Sequence, residues 1–205
     1  MTARQDGPSP LEHGEALRSL KFWKVQKPDL DAIAPEQVAQ EIADLEDEEF
    51  LWCYAAATAV AVMTGTPDII HEPVNRVGPV LVICADWRSS FFTKRVAALL
   101  NHHEIAAREI EGRLYIVAPP HPELVLARRE SEVVRFTRAA DNIVTRTRQL
   151  GIVHILVEPV AVFQDLNEVS TEEAQRLRYI AESADASMHV LVPPRTLCLY
   201  GNRNP

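Results

Sequence analysis

Val80–Ala85 reads VLVICA, an unbroken apolar run rich in β-branched residues. A strand with one wet face alternates apolar and polar side chains, whereas this one does not. The reading is a strand covered on both faces, as in a parallel sheet between helices. Two further runs repeat the pattern: Ile152–Val157, with HILV at its heart, and Met188–Val192. Thr196–Tyr200 is read as a last edge strand.

Between these strands lie helical patterns. Ser89–His103 places Phe92, Val96, Leu99 and Leu100 on one side. Ile105–Ile110 and Leu114–Val117 flank Glu111-Gly112-Arg113, which reads as a hairpin. Pro122–Leu150 reads as one long helix ended by Gly151. Ser170 and Glu173 form a capping box before Ala174, Leu177, Ala181 and Ala184. The alternation predicts an α/β fold: a three-layer, mostly parallel sheet with helices on both faces. Residues 79–200 are expected to form a single sheet.

The front of the chain differs. Residues 1–34 are polar and punctuated by Pro and Gly, and read as an extended arm. The arm carries one apolar cluster, Leu17–Val25, with Phe22 and Trp23 at its centre. Such a cluster either tucks onto its own domain or anchors a partner. Residues 35–205 are then a single α/β domain with a helical N-terminal segment at 35–65. Pro35 suits a first helical position and Gly65 a C-cap. From Phe50 to Met63 only Thr58 interrupts the apolar residues. A membrane span needs about 20 such residues, so this is read as a buried helix or part of an oligomer interface.

The chain has 205 residues and a net charge of −8, from 21 Lys and Arg against 29 Asp and Glu. An acidic balance argues against nucleic acid as partner, because that requires clustered positive charge. With only 7 Gly there is no G-x-x-x-x-G-K-[ST] or G-x-G-x-x-G loop to cradle phosphates. The charge is also segregated. Between Pro28 and Phe50 there are nine acidic residues, ending in Glu46-Asp47-Glu48-Glu49, and no Lys or Arg. Arginine gathers later, at Arg128, Arg135 and Arg146, read as one face of the Pro122–Leu150 helix. The acidic stretch is read as a solvated face or as a docking surface for a basic partner.

Cys53, Cys84 and Cys198 are too far apart for a C-x-x-C pair. Together with an N-terminus lacking an apolar leader, they suit a reducing, cytoplasmic setting. No metal-ligand spacing is present among the histidines, and nothing calls for a cofactor. His154 and His189 fall inside strands and are read as core residues.

Chemistry has three candidate places. Asp86 and Glu158 end two strands and would approach each other if those strands are neighbours. Arg88, Ser89 and Ser90 open a helix, an arrangement that suits a small anion. Prolines at 119–120, 159 and 193–194 close three strands at what would be the same edge. The stretch PVLVICADWRSSF resembles the first strand and turn of thioredoxins, with Arg88 and Phe91 where the redox cysteines would fall. LWCYAAATAV resembles the nucleophile helix of papain-like cysteine peptidases. That likeness implies Cys53 as nucleophile and His103 as its base. The chain departs from that family in having Ala118-Pro119 at the orienting Asp or Asn, and in having no glutamine before Cys53.

Two functional classes follow. One is a non-enzymatic α/β subunit or adaptor acting through the arm, the acidic 28–50 segment and the arginine-bearing helix, on a protein partner or on itself. The other is a small hydrolase-like enzyme using Asp86 with Glu158, or Cys53 with His103. The first is favoured, since the interaction features are several and no catalytic set is complete.

Overall fold

The computed structural model describes residues 23–25, 47–84, 88–118, 126–130, 133–158 and 171–191. Its core is the run that opened the sequence reading. Strand β2 (Val80–Ile83) lies between β3 (Leu114–Val117) and β6 (His154–Val157), parallel to both. All four β2 side chains are fully buried, which is why the run shows no alternation. At 1.5–3 kcal/mol for each large apolar side chain, this strand alone stabilises the fold by roughly 6–12 kcal/mol.

β7 (Ser187–Val190) continues the sheet parallel to β6, and β1 (Trp23–Lys24) pairs antiparallel to β3 at the other edge. The order is β1-β3-β2-β6-β7. The chain thus steps outward from β2 to β3, returns past β2 to β6, and continues to β7. Right-handed crossovers put helices on opposite faces when the direction of travel reverses. Helix α2 (Arg88–His102), between β2 and β3, packs with helix α1 (Asp47–Thr64) over Val80, Val82, Leu114, Ile116 and Leu156. Helices α3 (Arg138–Gln149) and α4 (Thr171–Ala184) cover Leu81, Ile83, Ile155 and Val157 on the other face.

α1 ends as the sequence predicts. Gly65 takes a φ of 76°, and the N–H groups of Gly65 and Thr66 both donate to the Ala61 carbonyl. Arg113 donates from Nη1 to the Met63 carbonyl at 2.7 Å, tying this end to the turn before β3. From Ala55 to Met63 every residue except Ala57 is buried within the chain. The apolar helix is therefore satisfied by its own domain over that span and leaves no broad apolar face for an oligomer. Trp52 is 2% exposed and meets Phe92 of α2 edge to face, with ring centres 5.8 Å apart.

Three expectations are corrected. First, Pro122–Leu150 is not one helix. Ala127–Glu130 (β4) and Val133–Phe136 (β5) form an antiparallel pair, and α3 starts only at Arg138. Thr137 breaks the segment: its Oγ1 accepts from the Ala139 N–H and caps α3. Val133 and Val134 favour strand, and Leu126 and Phe136 both pack into the core under α3 and α4. Second, Ile105–Val117 is not a hairpin. A short 3-10 turn at Ala107–Glu109 follows α2, and the chain enters β3 parallel to β2. Gly112 makes this passage at a φ of 70°, where a Cβ would meet Lys24 of β1. Third, the sheet is not single, since β4 and β5 form a separate two-stranded one. β7 also differs from the expectation of a buried strand. Its Ser187 and His189 are exposed, because it is the outermost strand described.

Residues 26–46, 159–170 and 192–205 lie outside the described residues, and with them the Pro35 helix start, Ser170's cap and the Thr196–Tyr200 strand. Among the described residues, no helix is long and apolar enough to cross a membrane.

Trp52 holds α1 to α2, so its removal tests this face of the core. Trp52→Ala is expected to cost about 3–5 kcal/mol in urea unfolding. A loss below about 1 kcal/mol would show that α1 does not pack on α2 through this ring.

Candidate functional site

The reversal of direction between β2 and β6 creates a switch point at their carboxyl ends. In open parallel sheets that crevice is where ligands sit. The Glu158 N–H donates to the Ile83 carbonyl at 2.9 Å, so the chain is held just beyond both strands. The Cys84 N–H donates to the Val117 carbonyl at 3.1 Å, and the Leu191 N–H to the Val157 carbonyl at 2.7 Å. Glu158 is only 5% exposed. The condition set for the Asp86–Glu158 pair, adjacency of the two strands, is met, while Asp86 itself lies outside the described residues. α2 is described from Arg88 onward, and Ser90 is exposed. The side chains of Arg88 and Ser89 are not described.

The thiol pair does not gain support from geometry. Cys53 lies six residues into α1, past its first turn, so the helix dipole that would lower a thiol pKa is largely spent there. His103 is exposed just beyond α2, edge to face with His102 at 4.9 Å. Phe22 and Glu46 lie outside the described residues. Trp23 pairs with Ile116 across the β1–β3 ladder, and Val25 beside it is 1% exposed. This part of the arm is seated on its own domain.

The arginines fall on three elements rather than on one helix face. Arg128 of β4 is the register partner of Arg135 of β5. Arg146 belongs to α3, where its Nη1 donates to Gln149 Oε1 at 3.2 Å. Arg135, Arg138, Arg146 and Arg148 are all exposed, against a single exposed acid on α3, Asp141. Beside them Phe136 stacks on Tyr179 of α4, ring centres 5.4 Å apart at 23°, and Tyr179 is 59% exposed. The sequence hid this grouping. Arg128 and Arg135 are seven apart, which suits two turns of a helix as well as facing positions of a hairpin.

The reading of His154 as a core residue holds, while its contacts were not foreseen. His154 is 5% exposed on β6, its Nδ1 hydrogen-bonded to Ser187 Oγ of β7. Its Nε2 is buried with no hydrogen-bond partner. His189 stands edge to face with it at 4.9 Å but is exposed, contrary to its reading as a core residue. The strand periodicity alone carried no signal for this contact, which depends on β6–β7 register. Burial, reinforced by nearby His189, pushes the His154 imidazole from its usual 6.5 down to about 4.

Among the described residues, no group of three or more His, Cys, Asp or Glu is placed to hold a metal ion. No protein family matches the chain, and neither the curated proteins nor the solved structures hold a significant match. The site is therefore read from its own geometry.

The His154 environment sets a pH dependence. Its folded pKa lies below the unfolded one, so the unfolded chain takes up a proton first as pH falls. Stability from this group is complete above about pH 6.5 and declines toward pH 4, by about 3 kcal/mol. Urea unfolding across that range is expected to show the decline, and His154→Gln to flatten it. An equally steep decline in the variant would assign it to other groups.

Proposed function

We propose that the chain is a non-catalytic α/β subunit that works by protein–protein contact, its β4–β5 hairpin and α3 forming a basic surface for an acidic partner. The observation that carries this reading is the grouping of exposed Arg135, Arg138, Arg146 and Arg148 on β5 and α3 against a single exposed acid of α3, Asp141. The exposed Arg138, Arg146 and Arg148 extend the positive surface along α3, and the Phe136–Tyr179 stack supplies an aromatic anchor next to it. Exposed ion pairs contribute only about 0–1 kcal/mol each, so the affinity comes from the cluster and falls with salt.

A second reading, a small hydrolase-like enzyme at the carboxyl edge of the sheet, draws on one observation: a buried Glu158 at the switch point between β2 and β6. It lacks a described nucleophile or partner acid beside it. The subunit reading uses more of the molecule.

Poly-L-glutamate is a suitable probe for the basic surface. The parent chain is expected to bind it at low salt and release it at high salt. Arg128→Glu with Arg135→Glu should weaken binding about tenfold or more, with the fold verified by circular dichroism. Equal binding by parent and variant would contradict the proposal, as would tighter binding of a single-stranded oligonucleotide than of the polypeptide.

A further inference from the structure

His154 carries a buried polar atom that no group in the fold satisfies. The residue opens β6 and is 5% exposed, and its Nε2 is buried without a hydrogen bond. The opposite ring nitrogen fixes the tautomer. Ser187 Oγ donates its single proton to the Val153 carbonyl at 3.2 Å, so towards the imidazole it only accepts. His154 Nδ1 therefore holds a proton and donates it to Ser187 Oγ. Nε2 is left as a bare lone pair on the side of the ring away from Ser187. Burial, with His189 nearby, lowers the His154 pKa to about 4, so that lone pair stays unprotonated at neutral pH.

His189 stands against the same ring. Leu156, two residues beyond His154, packs under α1 and α2, while Met188 and Val190 pack toward α3 and α4. Strand alternation thus puts His154, Ser187 and His189 together on the α1 side of the sheet. The two imidazoles are 4.9 Å apart, centre to centre, with their planes at 90°. Two imidazoles bound to one ion at about 2.0–2.1 Å, at an angle of roughly 90–109°, have ring centres about 4.5–5.2 Å apart. His189 is exposed, so its ring has room to turn a nitrogen toward the ion. We propose that His154 Nε2 and His189 form a two-histidine site for a divalent transition-metal ion on the outer strands β6 and β7.

The donor chemistry selects the ion. Neutral imidazole suits zinc, copper and nickel, whereas calcium and magnesium take oxygen ligands. The chain from His154 Nδ1–H through Ser187 Oγ to the Val153 carbonyl is the outer support that a ligating histidine needs, since it holds both tautomer and ring orientation. The Asp185 carboxylate, two residues before Ser187, is paired with Arg76 at 3.2 Å and is not counted among the ligands. Two protein ligands leave the other positions to water, so the ion exchanges, unlike one in a closed structural site. The site lies across the sheet from the hairpin and α3 and stands independently of the basic surface. Its two histidines are 35 residues apart in sequence, a spacing that carries no metal signal.

The test follows the imidazole nitrogens of the full chain by heteronuclear NMR while zinc ion alone is added. In the zinc-free chain His154 is expected as the Nδ1–H tautomer. On addition, His154 Nε2 and one nitrogen of His189 should shift together with a single affinity. His189→Ala, at an exposed position, should weaken that binding about tenfold or more, and so should Ser187→Ala, with the fold verified by circular dichroism. His154→Gln should abolish it, and should that variant fail to fold, His189→Ala carries the test. His102 and His103 also stand 4.9 Å apart and are exposed, so the titration is repeated with His102→Ala and His103→Ala, where the His154 response should be unchanged. A His154 Nε2 resonance that does not move at millimolar zinc overturns the proposal. Zinc affinity unaffected by His189→Ala overturns it as well, and so does an Nε2–H tautomer of His154 in the zinc-free chain.

Discussion

Burial of Val80–Ile83 from both sides is the constraint on which the rest of the structure depends. A strand with four fully buried side chains needs a parallel neighbour along each edge and a helix over each face. β3 and β6 supply the edges, α1 and α2 cover one face, and α3 and α4 cover the other. Once β2 is central, the chain has to leave it in one direction and come back in the other. That reversal opens the crevice at the carboxyl ends of β2 and β6, and it sends α3 to the face opposite α2.

The same reversal sets where the arginines go. The hairpin and α3 pack on the face opposite α1 and α2, through Leu126, Phe136, Ala139 and Ile143, so exposed Arg135, Arg138, Arg146 and Arg148 belong to that side of the sheet.

Much of this was legible in the sequence where burial is continuous. VLVICA and HILV named two central strands, Phe92, Val96 and Leu100 named the inward side of α2, and Gly65 marked the end of α1. Legibility failed where the same spacing serves two structures. Arg128 and Arg135 look alike on a helix and on a ribbon, and the charged residues around them conceal that Leu126 is buried and Phe136 packs against the core. It failed again at Ile105–Val117, where a Gly between apolar runs reads as a hairpin turn but instead admits the chain to a parallel strand. The His154–Ser187 contact was out of reach, since two residues 33 apart meet only through strand register. The arginines read from the sequence as one face of a helix, and the fold instead divides them between a hairpin and α3.

The account turns on the placement of Arg128 directly across from Arg135. A chain carrying Arg128→Cys and Arg135→Cys, with its native cysteines replaced by Ser, tests that placement. Facing residues of an antiparallel pair have Cα atoms about 4.5–5.5 Å apart, within reach of a disulfide. The same two residues on one helix would be about 10 Å apart along its axis, beyond what a disulfide can bridge. Mild oxidation followed by peptide mapping is predicted to give the 128–135 disulfide in high yield in the folded monomer. Two free thiols after oxidation, in a chain that still folds, would contradict the hairpin and with it the docking surface built on it.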